Sequence, residues 1–382
     1  MNSNNNYTLD GSEELETRIA DLCEKAARGI AAIVPSKRIE AVLLGGGYGR
    51  GEGGVLHHKG RDLPYNDLEF FVFLKGHPFL NERRYQTAIH ALAQRLTKEA
   101  GIDVEFKITS AKSLRRSRPT MFFYDLFHGH QRILGDADVF GRASQHSNAR
   151  NLPLAESTRL LMNRCSGLLF ARNRLNRGFL TSDDVDFIQR NVAKAQLAMG
   201  DAILAASGEY HWSCIERRAR LEESAENLDL PFIGDVLQNH GRGVAFKLRP
   251  QCIWKHREQL ELSLKKNTKL AWQVWRWLED TRLGEQAGFP EDYAQARSSR
   301  CPEVGFVRVL LANIKTFGLS PIKFLAGYPR ARLLRSLPLL LWRNRPGARI
   351  SNLPFLQKQL ATEAADFGGL LNAYSRLWTR YN

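Results

Sequence analysis

The stretch Asp67-Leu68-Glu69-Phe70-Phe71-Val72-Phe73-Leu74 starts with two carboxylates two positions apart and then turns apolar. Its Phe and Val content predicts a β-strand over 67–74. Side chains alternate along a strand, so Asp67 and Glu69 share one face, and Phe71 and Phe73 continue it. Such a strand runs from a polar cleft into a core. Two bare carboxylates side by side repel each other, and a cation between them removes that cost. Oxygen ligands of this kind suit Mg²⁺, which takes carboxylates together with substrate phosphates.

The flanking sequence adds to this. Ala41-Val42-Leu43-Leu44 reads as a short strand that ends in the glycine run Gly45-Gly46-Gly47-Tyr48-Gly49-Arg50-Gly51-Glu52. Glycines at Gly46 and Gly47 let a phosphate approach the backbone, and Arg50 is placed to neutralise its charge. A third strand over 102–109 alternates strictly. Ile102, Val104, Phe106 and Ile108 form one face, and Asp103, Glu105, Lys107 and Thr109 the other. If it lies beside strand 67–74, three or four carboxylates converge, enough to hold two metal ions. Asp103 and Glu105 share a face, so spacing does not separate them; Glu105 sits deeper in the strand. A dinucleotide-binding fold is the poorer reading of Gly49–Gly54, because no helix follows the glycines directly.

Gly46-Gly47-Tyr48-Gly49-Arg50-Gly51-Glu52 followed by Asn66-Asp67-Leu68-Glu69 resembles the signature of the polymerase-beta-like nucleotidyltransferase superfamily. The likeness spans about residues 40–110. It implies a Mg²⁺-dependent enzyme, with two ions, that transfers a nucleoside monophosphate from ATP or another nucleoside triphosphate to a hydroxyl. Asp67, Glu69 and one of Glu105 and Asp103 are then the catalytic carboxylates. Asp67, Glu69 and Glu105 are the metal ligands, and Gly46, Gly47, Arg50 and Lys194 the nucleotide-binding residues. The third carboxylate is also implied to take the acceptor's proton. The acceptor is expected to be a small molecule or protein rather than RNA. Gly47 stands where the family has Ser, Glu69 replaces an Asp, and the loop before Asp67 is long. These departures favour a second reading, a binding protein that keeps the fold with little or no catalysis. An RNA-directed transferase is a third.

The expected architecture is α+β: a small mixed-sheet nucleotidyltransferase domain followed by a larger all-helical domain. Residues 1–20 are expected as a loose tail, 21–145 as the first domain and 150–382 as the second. Leu15, Ile19, Leu22, Ala26 and Ile30 predict a helix over 15–33. Further helices are expected over 82–100, closed by Gly101, and over 121–127; residues 131–134 read as a short strand and 53–64 as a loop. Beyond 150, helical patterns cover about 154–175, 183–207, 212–225, 256–283, 303–317 and 352–379. Lys194 and Arg190 fall on the second of these, either toward a nucleotide or on a solvated basic face.

The formal net charge is +15, which favours polyanionic partners. Between Arg308 and Lys358 there are ten Lys or Arg and no Asp or Glu, with Phe324, Tyr328 and Trp342 interleaved. This basic segment, within a basic part spanning 300–382, is expected either to touch an anionic membrane or nucleic acid or to lay its arginines over the core. The five cysteines show no Cys-x-x-Cys spacing, which argues against a structural zinc site or a disulfide framework. No secretory signal or membrane-spanning run is read, so a cytoplasmic location is expected.

Overall fold

The computed structural model describes residues 6–135, 138–251, 253–318 and 327–382. The architecture is α+β, and the chain divides into two compact units. The first comprises Met1–Pro153, Ser207–Asn227 and Gly241–Cys252; the second comprises Leu154–Ala206, Leu228–His240 and Ile253–Asn382.

The first unit is built on a four-stranded mixed sheet. Its strands are β1 (Ile39–Leu44), β4 (Leu68–Leu74), β5 (Val104–Thr109) and β6 (Gln131–Leu134), in the order β5-β4-β1-β6. β1 runs antiparallel to both β4 and β6, while β4 and β5 are parallel. A parallel pair needs a long crossover, and here helix α3 (Pro78–Ala100) supplies it. Gly101 closes α3 in the left-handed region, φ 73°. Period-two alternation in β4 sends Phe70, Val72 and Leu74 to one face, where they pack with α3 and with Leu15, Ile19, Leu22, Ala26 and Ile30 of α1 (Glu13–Ile33). Phe71 and Phe73 go to the other face. There they pack with Ala111 and Leu114 of α4 (Ala111–Arg116) and Leu126 of α5 (Met121–His128).

Two expectations in this part need correction. The loose tail assigned to 1–20 ends earlier: α1 starts at Glu13, capped by Ser12 accepting from the Leu15 N–H. Glu16 also accepts from the N–H groups of Tyr7 and Thr8, which ties the preceding residues down. The loop expected over 53–64 is a hairpin, β2 (Val55–His58) paired with β3 (Arg61–Pro64). Lys59 (φ 50°) and Gly60 (φ 76°) make its two-residue turn, in which both central residues take positive φ. Lys-Gly lacks the Asn or Asp that usually marks such a turn, so the pattern read as a loop.

The second unit is helical. α6 (Leu154–Leu175) and α7 (Ser182–Ala206) pack against each other and against α10 (Arg257–Leu283). Thr181 and Asp184 cap α7 reciprocally: the Thr181 hydroxyl accepts from Asp184 N–H at 3.1 Å, and the Asp184 carboxylate accepts from Thr181 N–H at 3.3 Å. Buried Glu279 on α10 accepts from Tyr293 OH of the short helix α11 (Pro290–Gln295) at 2.6 Å and from Arg282 at 2.7 and 2.8 Å. The single helix expected over 352–379 is two, Leu353–Leu360 and Phe367–Tyr381. Ala361 takes positive φ (50°) and ends the first, and Asp366 caps the second. Helices at Ile233–Leu248 and Pro329–Pro338 were not expected.

The boundary near 145–150 also differs. Residues 207–227 and 241–252, expected in the helical domain, belong to the first unit. They carry α8 (Cys214–Ala225) and the second half of α9 (Ile233–Leu248). Polar contacts made by Glu52 and Asp125 hold them there, together with ring contacts of Tyr65 with Phe246 and of Tyr124 with Tyr210.

Candidate active site

β4 begins where β1 ends, and the glycine run fills the corner. Gly45 N–H donates to Glu69 C=O at 2.8 Å, and Gly46–Gly49 forms one helical turn, α2. Gly46 has φ 63°, and a Cβ built there would lie 2.6 Å from Glu69 Oε2. A side chain at Gly46 would therefore be strained and would push into the acidic cluster. Gly47 fits a different constraint: its Cβ would meet Glu52 C=O at 3.1 Å. The absence of Ser at this position goes with tight backbone packing.

Glu69 and Glu105 are direct partners in the parallel β4–β5 register. Residues in register point to the same face, so their carboxylates meet. Asp67, two residues before Glu69, joins them: each of Asp67, Glu69 and Glu105 offers an oxygen within 4.8 Å of the others. Among the described residues this is the group of acids and histidines able to hold a metal ion. Asp103 is not part of it; it precedes β5, and its carbonyl accepts from Leu68 N–H at 2.9 Å. The donor set is all carboxylate oxygen and sits partly in solvent, which fits a hard divalent cation that keeps some water.

Lys107 completes the cluster, and sequence reasoning placed it only on the acidic face. Its Nζ lies 2.7 Å from Glu69 Oε1 and 3.5 Å from Glu105 Oε2, over the rings of Phe71 and Phe122 at 5.4 and 5.9 Å. Burial acts to lower its pKa, but the two carboxylates overcome this and the net shift is upward. An ammonium ion thus already balances part of the acidic charge. The signal was present as a Lys two residues beyond Glu105, but strand alternation alone does not show which acid it reaches.

The other nucleotide-binding residues expected from sequence fall elsewhere. Arg50 is turned inward: its NH1 lies 3.2 Å from Asp125 Oδ2, and only 12% of its side chain is exposed. Asp125 Oδ2 also accepts from Tyr210 OH at 3.3 Å, and Arg217 donates to that hydroxyl at 3.3 Å. Arg50 therefore serves as a tie within the first unit. Lys194 is exposed on α7 in the second unit. Glu52, quoted above as part of the signature, is 3% exposed. It accepts from Cys214 N–H at 3.0 Å, from Ser213 OH, and from Lys247 Nζ at 3.0 Å. Burial acts to raise the pKa of Glu52, but Lys247 and the hydrogen bonds from Cys214 and Ser213 outweigh it and hold the value at about 2. The loop that shapes the acidic site is thus fastened from behind by α8 and α9.

The sequence matches no family model and no curated protein.

Proposed function

We propose that the first unit is a Mg²⁺-dependent nucleotidyltransferase site that moves a nucleoside monophosphate, by default AMP from ATP, onto a hydroxyl group with release of pyrophosphate. The observation that carries this reading is the meeting of Asp67, Glu69 and Glu105 within 4.8 Å beside a glycine turn. The resemblance of Gly46–Glu52 and Asp67–Glu69 to the superfamily signature supplies the reaction class.

Asp67, Glu69 and Glu105 would hold the ion, which supplies charge neutralisation for the phosphates and the leaving group. Glu69 is the best-fixed ligand, because Lys107 and the Gly45 N–H hold its side chain and its backbone. Glu105, 51% exposed at the side chain, reaches solvent and takes the proton of the acceptor hydroxyl. The acceptor oxygen then forms a bond to the α-phosphorus as the bond to pyrophosphate breaks. Lys107, once its carboxylates are otherwise compensated, is free to meet a phosphate oxygen. The preferred acceptor is a small-molecule or protein hydroxyl. The test is incubation with each labelled nucleoside triphosphate and candidate acceptors. Pyrophosphate release without a labelled product, or no release with any donor, rejects the reading.

A second reading is favoured by Lys107 itself. A resident ammonium makes the acidic cluster self-sufficient, as in a binding protein that keeps the fold without a metal. The two readings separate on Lys107→Met. In a metal site, an ammonium on the order of 4 Å from a divalent ion would cost about 2 kcal/mol at high dielectric, so its removal should tighten Mn²⁺ binding about thirtyfold. Electron paramagnetic resonance titration of free Mn²⁺ measures this directly. A wild type and a variant that both leave Mn²⁺ free support the binding protein instead.

A further inference from the structure

Helix α12 (Phe306–Phe317) presents an apolar face to solvent. Phe306 is 79% exposed, Val307 68%, Leu311 61%, and Leu310 and Ile314 more than a third. At 100° per residue these five side chains fall within an arc of about 140°. The helix is fastened to the second unit through three other residues. Asn313 is buried and donates to Gly327 C=O at 3.1 Å, Thr316 meets Tyr381 OH, and Arg332 stacks over Phe317 at 4.2 Å. The exposed face is therefore fixed in place and not a frayed end.

One border is basic. Arg308 and Lys315, seven residues apart and so on one line of the helix, run along one edge of the apolar arc, beyond Leu311, and are exposed. Arg380, also exposed, donates to Lys315 C=O at 3.2 Å beside the last turn. No acid occurs between Arg308 and Lys358. Much of the remaining charge of that segment is committed inside the fold. Arg332 donates to the carbonyls of Lys358 and Gln359, Arg335 to those of Ala294, Ala296 and Ser298, and Arg343 pairs with Glu291. The aromatic residues expected to stack on nucleic-acid bases are likewise used internally. Tyr328 is buried against Tyr381, and Trp342 packs on Trp272 and Trp275 and donates to Thr268 C=O. Phe324 lies outside the described residues. An apolar face with a basic edge has the composition of a helix that rests in the headgroup region of a bilayer. No helix among the described residues is long and apolar enough to cross one.

We propose that α12 docks this protein on an anionic lipid surface, with Phe306, Val307, Leu310, Leu311 and Ile314 in the acyl boundary and Arg308 and Lys315 at the headgroups. Charge complementarity selects the lipid: the apolar residues bind weakly to any bilayer, and the flanking cations add affinity only where the surface is negative. The experiment is sedimentation of the full chain with vesicles of phosphatidylcholine, with and without about 30% phosphatidylglycerol. Wild type is expected to bind the anionic vesicles and to lose most of that binding at high salt. Arg308→Gln/Lys315→Gln should weaken binding about thirtyfold, at about 1 kcal/mol per cation near the surface. Phe306→Ser/Leu311→Ser should abolish it while leaving the circular dichroism and melting of the protein unchanged, since both side chains already face water. Equal binding by wild type and both variants, or no binding by wild type, overturns the proposal. So does self-association that Phe306→Ser/Leu311→Ser removes without vesicle binding, which makes the face a contact between copies. Oligonucleotide binding that needs Arg308 and Lys315 but not Phe306 overturns it too.

Discussion

Asp67→Asn/Glu69→Gln is expected to bind Mn²⁺ more than about 100-fold more weakly than wild type and to transfer nucleotide about a thousandfold more slowly. Both changes keep shape and remove charge. Of the three oxygens that meet within 4.8 Å, two become neutral amide groups. A hard divalent cation loses most of its electrostatic attraction, and a loss of about 4 kcal/mol in the transition state corresponds to about a thousandfold in rate. Stability should change little. Asp67 is exposed, and the ion pair between Glu69 and Lys107 is partly solvated, so its loss costs about 1 kcal/mol or less. Relief of repulsion between the acids offsets part of that. Manganese titration and single-turnover pyrophosphate release read the two effects separately. A double variant that binds metal and nucleotide as wild type does would falsify the site.

Glu52→Ala is expected to act on the fold instead of the chemistry, with a loss of about 3–5 kcal/mol, because it leaves Lys247 as a poorly solvated charge without its carboxylate. The first helical N–H of α8, at Cys214, loses its acceptor at the same time. In a unit of this size, that lowers the melting temperature by about 10 °C. The same residue sets a pH dependence. Its pKa falls from 4.5 to about 2 on folding, so its contribution is complete above about pH 4.5 and is lost as pH drops toward 2, where the folded carboxylate is finally protonated. The full shift is on the order of 3 kcal/mol. Chemical denaturation of wild type between pH 5 and about 2.5 should show this slope, and Glu52→Gln should lack most of it. If the two slopes coincide, the low pKa of Glu52 is not what links folding to pH.

The two variants divide a motif that reads as one unit in sequence. Gly46 through Glu69 looks like a single functional signature, yet Asp67 and Glu69 meet Glu105 in a partly solvated cluster while Arg50 and Glu52 face inward as ties. The difference is one of direction. Strand alternation fixes which way Asp67, Glu69 and Glu105 point, because period two leaves only two choices. The turn after α2 has no such period, so the directions of Arg50 and Glu52 depend on what packs behind them. That packing comes from Asp125, Ser213, Cys214 and Lys247, which lie between 75 and 195 residues from Arg50 or Glu52 along the chain.

The basic C-terminal part shows the same division. The sequence counts ten cations and no acids over 308–358, but charge alone does not say where they point. Packing commits Arg332, Arg335 and Arg343 to carbonyls and to an acid within the fold, and leaves Arg308 and Lys315 exposed on α12, which turns its apolar face outward. By itself, then, the amino-acid order determined the four strands of the main sheet, their faces and the acids they carry, since local periodicity and propensity suffice for those. The tertiary structure alone selected Glu105 over Asp103 as the third acid, because the choice depends on the parallel register that sets Glu105 opposite Glu69. It alone placed Lys107 among the acids, drew residues 207–227 and 241–252 into the first unit, and left the apolar face of α12 uncovered. Each of these rests on contacts between distant residues, which no local pattern encodes.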